Sequence, residues 1–369
     1  DAASSIDEHG WTAEIRIPFS QLRFARSGQP PPGPEAAIEG MAANDSGNAF
    51  PESEQIWGIQ FETISSGRQE LAMFAYTAKA DLGGVSAFGD LEGLKNLRSS
   101  RPIEVIPYVL AQATDDATGS NPLVPERDFE TKFGIDARYR ITSNLTLTAT
   151  VYPDFGQVEV DPAVINLTAF ETRLEEKRPF FVEGSGIFQV APTLTSRNSA
   201  RELLYSRRIG RTPQIDLPSD VGHAPASTDI IAAAKLTGRT DRGWTVGLFD
   251  ALTDEMHGVY LDDLGDRRTA VVEPRTNYLV GRVIHESRGG ETAIGAIGTA
   301  VNRDLGDPLA AAALVKSAYT GGIDFGTEFL NRAWSLSGYF SGSQVKGSPE
   351  AIESLQRTSS RYYQRPDAE

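Results

Sequence analysis

Residues 129–151 carry the pattern that recurs down the chain. Phe129, Phe133, Ile135, Ala137, Tyr139 and Ile141, joined by Thr131, alternate with Glu130, Lys132, Asp136, Arg138 and Arg140. Successive side chains of a strand point to opposite faces, so this segment predicts a strand with one apolar face and one face carrying charges of both signs. The turn Thr142-Ser-Asn144 leads into Leu145, Leu147, Ala149 and Val151, which alternate with Thr146, Thr148 and Thr150; together the two segments predict a hairpin. The alternation returns over residues 230–238 and again from Trp244. Two further strand pairs follow, 277–286 with 291–301 and 314–325 with 332–341. Such lengths match the roughly 9–11 residues that a tilted strand needs to cross a bilayer. Tyr139, Trp244, Tyr278 and Trp334 stand near strand ends, as aromatics do at a membrane interface. Stacked sheets of a water-soluble protein, with the charged faces turned to solvent, are the competing reading.

The first hundred residues follow a different rhythm. Trp11, Ala13, Ile15 and Ile17 share one face of a short strand, and residues 55–61 predict another. Between them lie a Gly- and Pro-rich stretch at 27–33 and a polar loop reaching residue 53. Short strands with long, turn-rich connections point to a β-sandwich. The pattern breaks over 95–102. The expected fold is therefore all-β, with part of a β-sandwich over residues 1–95 and an antiparallel, incomplete barrel over 102–369. Residues 152–184 interrupt the barrel rhythm and are read as an insert. Within it, 166–177 fits a short helix with Leu167, Phe170 and Leu174 on one side, stopped by Pro179.

Composition narrows the chemistry. Cysteine is absent, which excludes disulfides, cysteine zinc sites and thiol nucleophiles. A net charge of −15 argues against nucleic acid as a partner. No run of eighteen apolar residues predicts a transmembrane helix, a test that barrel strands escape. The chain opens at Asp1 with no initiator Met or apolar leader, so it reads as an internal or processed piece. His9, His223, His257 and His285 are scattered without metal-site spacing, and no nucleotide fingerprint or nucleophile elbow occurs. Neither a metal nor a cofactor is expected.

The insert holds the one tempting constellation. Asp154, Glu159, Asp161, Glu171, Glu175, Glu176 and Glu183 crowd beside Arg173, Lys177 and Arg178. An ion-pair network pinning the insert to charged strand faces is the plainest reading, because a barrel interior supplies many cationic partners. A cation site would need several oxygens converging on one loop. Glycoside hydrolysis would need two carboxylates about 5–10 Å apart, one with a raised pKa; Glu171, Glu175, Glu176 and Glu183 are the candidates. Trp11 and Trp57 could stack on the apolar face of a sugar, although their alternating strand positions also suit core packing, the commoner role.

Three segments carry a resemblance. Pro153-Asp-Phe-Gly-Gln-Val-Glu-Val-Asp-Pro162, Asn166-Leu-Thr-Ala-Phe-Glu171 and Glu176-Lys-Arg-Pro-Phe-Phe-Val-Glu-Gly184 resemble an uncharacterised Gram-negative outer-membrane β-barrel family. Its members carry an N-terminal domain similar to family 9 carbohydrate-binding modules. The matching positions are Asp154, Phe155, Gly156, Glu159, Asp161, Asn166, Glu171, Lys177, Arg178, Pro179, Glu183 and Gly184. Residues 204–211, 276–278 and 362–367 add to the match. Upstream, residues 17–24 and 57–61 resemble the closing strands of the sugar-binding domain. The resemblance implies an outer-membrane location, contact with lipid, and a carbohydrate or glycan ligand to be bound or taken up. A secreted carbohydrate-active hydrolase and a structural envelope protein stay as alternatives, since the family offers no activity to carry over.

Overall fold

The computed structural model is all-β. It describes residues 2–8, 10–17, 55–65, 70–75, 88–95, 103–115, 121–125, 127–142, 144–153, 172–190, 203–240, 242–288, 291–330, 333–358 and 363. Packing divides the chain into two units. One comprises Asp1–Pro102 with Arg140–Asn144; the other comprises Ile103–Tyr139 with Leu145–Glu369.

The first unit contains β1 (Ala2–Asp7), β2 (Gly10–Ile15), β3 (Gln55–Ile59), β4 (Glu62–Ser65), β5 (Glu70–Met73) and β6 (Gly89–Leu94). They pair antiparallel as three ribbons, β1 with β2, β3 with β6 and β4 with β5. The Gln60 side chain clamps the Ala75 backbone, accepting from its N–H at 2.7 Å and donating to its carbonyl at 2.9 Å. Phe61 and Phe74 meet edge to face at 5.6 Å. The segment 27–33 and the loop to residue 53 lie outside the described residues.

The second unit contains β7 (Ile103–Asp115), β8 (Arg127–Arg140), β9 (Leu145–Val151), β10 (Gly222–His223), β11 (Ile230–Arg239), β12 (Trp244–Thr253), β13 (Met256–Leu261), β14 (Arg267–Glu273), β15 (Thr276–Ser287), β16 (Thr292–Arg303), β17 (Ser317–Phe329) and β18 (Trp334–Lys346). Among the described residues three short α-helices accompany them: α1 (Pro179–Val182), α2 (Pro308–Ala313) and α3 (Pro349–Arg357). Nine strands form one sheet in the order β18-β17-β16-β15-β12-β11-β9-β8-β7, open at β7 and β18. A second sheet, β10-β13-β14, is built from the excursions between its strands.

Register sorts the residues of the large sheet into two sets. Ile294 faces Phe325, Ile323 faces Phe340, Leu236 faces Leu147 and Leu248, and Val109 faces Phe133. This set is exposed: Phe133 is 67% accessible, Ile294 61% and Phe340 74%. Its charged members, including Arg127, Asp250 and Lys346, sit toward one end of the strands. The other set holds Lys132, Asp136, Arg138, Lys235, Arg282, Asp324 and Glu328 among threonines, glycines and a central apolar patch. Lys235, Arg282, Asp324 and Glu328 are all buried. The sheet thus buries its charged face and exposes its apolar one.

Its two ends differ as well. Four connections of about four residues, at 141–144, 240–243, 288–291 and 330–333, close one end. Long connections close the other, over 116–126, 152–229, 254–275 and 304–316. Tyr139, Trp244 and Trp334 project from the exposed face beside the short turns. Tyr278 departs from the sequence reading. It shares a face with Val280 and Ala251, and it packs against the buried cluster rather than standing at an outer rim.

The 152–229 connection runs well past the insert assigned to 152–184, and its described part covers the charged face. Phe181, Phe188, Val190 and Ile209 from the connection pack on Ile230, Ala233, Phe249, Ala251, Val280 and Ile297 of the sheet. Phe249 lies 5.8 to 6.4 Å from the rings of Phe180, Phe181 and Phe188. Each fully buried aromatic contributes roughly 1.5–3 kcal/mol, so apolar contact supplies most of the attachment. Helix prediction fared worse. Of the helix expected over 166–177, residues 166–171 lie outside the described residues and 172–177 form neither helix nor strand. Pro179 begins α1 instead of ending a helix, because its missing N–H costs nothing at the first helical position. The Leu174 backbone is engaged by a side chain instead of by a helix: its N–H donates to Tyr205 Oη at 2.9 Å, and its carbonyl accepts from the same hydroxyl at 3.4 Å.

Away from the insert, Arg282 and Asp324 form a bidentate pair that is essentially inaccessible to solvent. Gly295 makes room for it, since a Cβ there would lie 2.6 Å from the guanidinium. Removing one partner of such a pair strands a buried charge and costs roughly 3–5 kcal/mol. Asp324→Ala is therefore expected to lower stability by about that amount in denaturant unfolding, and the double change Arg282→Met with Asp324→Leu to recover most of it.

Candidate functional site

Two stretches of the 172–211 region meet at Arg178. Pro179 directs the chain into α1, and the Phe181 and Val182 N–H groups close on the Arg178 carbonyl at 2.9 and 3.1 Å. The buried Arg178 side chain donates from Nε to Glu176 Oε1 at 2.8 Å and from Nη2 to Oε2 at 2.7 Å. Its other donors reach the Ile209 and Ser206 carbonyls at 2.7 and 2.8 Å, and Ser206 Oγ donates to Glu176 Oε2 at 2.6 Å. One guanidinium thereby fastens two segments about thirty residues apart.

The sheet supplies the second set of contacts. Lys235 Nζ donates to the Phe180 and Glu183 carbonyls, and Arg138 donates to the Glu183 carboxylate at 2.7 Å. Gly184 has φ +68, which favours glycine, and a Cβ on it would come within 3.3 Å of Thr237 Oγ1. The turn can lie this close to β11 only with glycine there. Beside these contacts is a cavity of about 470 Å³, whose walls include Arg173, Glu175, Glu176, Tyr205 and Lys235.

Of the four candidate acids, Glu176 and Glu183 are held by Arg178 and Arg138 respectively. Glu175 is exposed on the cavity wall. Glu171 lies outside the described residues, as do Asp154, Phe155, Gly156, Glu159, Asp161 and Asn166. Lys177 is half-buried beside Arg178. Burial pushes the Glu176 carboxyl up, but the hydrogen bonds and charge of Arg178, with Ser206 Oγ, outweigh it and hold the group below its ordinary 4.5. A general acid needs the opposite shift. Among the described residues no group of three or more His, Asp and Glu could hold a metal ion. In the first unit, Trp11 is 62% exposed opposite Ile6 on β1, not packed in a core, while Trp57 is half-buried opposite Leu91.

Sequence reasoning did not single out Tyr205, Ser206 or Lys235 for a role. Tyr205 and Ser206 lie in the 204–211 segment that carried part of the resemblance, and Lys235 reads as one more polar position of an alternating strand.

Glu176→Gln is expected to cost roughly 1.5–3 kcal/mol, the range for hydrogen bonds to charged groups. Because the folded pKa is lowered, the contribution of Glu176 is complete above about pH 4.5 and is lost as pH falls through the lower folded value. Denaturant midpoints of the two proteins should therefore converge in acid and separate at neutral pH.

A model of the family described as a domain of unknown function (DUF5916) matches residues 102–354. No curated protein and no solved structure matches the chain. The matched region begins within a residue of the division between the two units and takes in the nine-stranded sheet with its covering segment; on that match, the chain belongs to the DUF5916 family.

Proposed function

We propose that the second unit is part of an outer-membrane β-barrel of a Gram-negative bacterium, with the 152–229 connection lying on its lumenal side. The observation that carries the reading is the sheet's reversed polarity. In water, an exposed face holding Phe133, Ile294, Ile323 and Phe340 invites aggregation; in a bilayer it meets its proper solvent. The eleven residues from Tyr319 to Phe329 span about 34 Å along β17, which projects to roughly 24 Å at a 45° tilt, close to the apolar band of such barrels. Short turns at one end and long connections at the other match the periplasmic and extracellular sides of that architecture. Aromatic residues beside the short turns suit one of the two interfacial girdles that such barrels carry. The reading requires the open edges at β7 and β18 to be paired, because unpaired backbone is not tolerated in lipid.

The first unit supplies the recognition element of this proposal. The exposed indole of Trp11 offers a flat platform suited to the C–H face of a pyranose, in keeping with the resemblance to a carbohydrate-binding module. The protein would then bind glycans at the cell surface, or assist their uptake.

Full-length protein is expected in the outer-membrane fraction, migrating differently on a gel before and after boiling. Recovery in the soluble fraction without detergent contradicts the proposal. A second test discriminates by energy. Ile323→Arg, near the middle of the Tyr319–Phe329 span, should destabilise the vesicle-embedded protein by roughly 2–4 kcal/mol, whereas at a water-facing site the change falls within about 0.5 kcal/mol. On a glycan array, Trp11→Ala should weaken binding without altering the unfolding midpoint.

A further inference from the structure

The nine-stranded sheet fixes the end at which the chain enters it. Ile103, the first residue of β7, pairs with Tyr139 beside the short turn at 141–144. Asp115, the last, pairs with Arg127 across the longer 116–126 connection. Later strands keep the same polarity: β12 starts at Trp244 beside the 240–243 turn, and β16 starts at Thr292 beside the 288–291 turn. Residues before Ile103 therefore approach the sheet from the end that carries the short turns.

Only eight residues separate β6, which ends at Leu94, from β7. Even fully extended, the chain from Leu94 to Ile103 reaches at most roughly 32 Å. A bilayer with its headgroups is roughly 40–45 Å thick. If the sheet spans a bilayer, this stretch is too short to carry β6 to the far side by any route. A route through lipid would also strand its backbone N–H and C=O groups. Trp11 belongs to the same packing unit as β6, and its indole is exposed.

We propose that the first unit lies in the periplasm, so that its Trp11 face recognises glycan inside the outer membrane and not on the cell surface. The inference rests on the barrel reading above, in which the short turns mark the periplasmic side. Of the roles given there, it excludes surface binding. A ligand for that face then comes from one of two sources, an oligosaccharide that has crossed the outer membrane or a strand of the cell wall. Both present the apolar C–H face of a pyranose, which a flat indole can cover.

The chain has no cysteine, so a single introduced thiol reports its own compartment. Full-length protein carrying Ala3→Cys, Thr63→Cys, Thr142→Cys or Leu264→Cys, each at an exposed position, is treated in intact cells with a maleimide too large to enter them. The treatment is repeated after the outer membrane is permeabilised. Leu264→Cys, on the β13–β14 hairpin, should label fully in intact cells. The other three should label only after permeabilisation. Two positions in the first unit keep the test usable if one variant does not fold. Labelling of Ala3→Cys or Thr63→Cys in intact cells, with Thr142→Cys protected, overturns the inference and leaves the barrel standing. Labelling of Thr142→Cys, or protection of Leu264→Cys, in intact cells removes the barrel orientation and the inference with it. Co-sedimentation of the detergent-solubilised protein with isolated cell-wall sacculi, lost in Trp11→Ala, assigns the ligand to the wall. Trp11-dependent binding of soluble oligosaccharides without co-sedimentation assigns it to glycan that has crossed the membrane. If Trp11→Ala changes neither, the ligand assignment is overturned.

Discussion

Strand geometry sends alternate residues to opposite faces, and in the nine-stranded sheet this leaves one face of aliphatic and aromatic groups and one face of charges. The described part of the 152–229 connection covers the charged face, so the apolar face is the one left outward. That choice is energetically specific. The covered face can accept Arg282, Asp324, Lys235 and Glu328 only because partners are supplied for them, in part by other strands and in part by the backbone of the covering segment. Swapping the two faces would break those pairs, and the covering segment would lose its anchor points.

Apolar and polar contacts divide the work of attaching that segment. Phe180, Phe181 and Phe188 around Phe249 supply area, a non-directional attraction that would tolerate sliding. Arg178, Lys235 and Arg138 supply direction. Each donates to a particular carbonyl or carboxylate, so the segment has one position on the sheet. Gly184 and Gly295 serve the same fit by leaving out a Cβ where the chain or a guanidinium passes too close for one.

Much of the sheet was legible before the structure, and the reason is local. Alternation at 129–139 and 145–151 reports two faces whatever the partners are, and the hairpins at 142–144 and 240–243 carry their own turn residues. Parity alone would also have placed Tyr278 inward with Val280; the aromatic-near-an-end rule misplaced it. What could not be read depends on residues far apart in the chain. The spacing of Leu167, Phe170 and Leu174 imitates a helix, yet Leu174 gives its backbone hydrogen bonds to Tyr205. Arg178 looked like one charge in a crowded run, and its real partners include Ser206 and Ile209. The acids of the insert were visible as a cluster, but not that Glu176 and Glu183 serve arginines on two different elements.

Because the chain contains no cysteine, single nitroxide labels can be placed without background, and β16 from residue 296 to 301 is the place to put them. In protein reconstituted into vesicles, relaxation by oxygen and by a water-soluble nickel chelate would be measured at each position. A lipid-facing sheet predicts a period of two: labels at 296, 298 and 300 meet oxygen but not nickel, and labels at 297, 299 and 301 are shielded from oxygen. Nickel reaching 296, 298 and 300 as readily as an exposed loop would contradict it, and would return the apolar face to water.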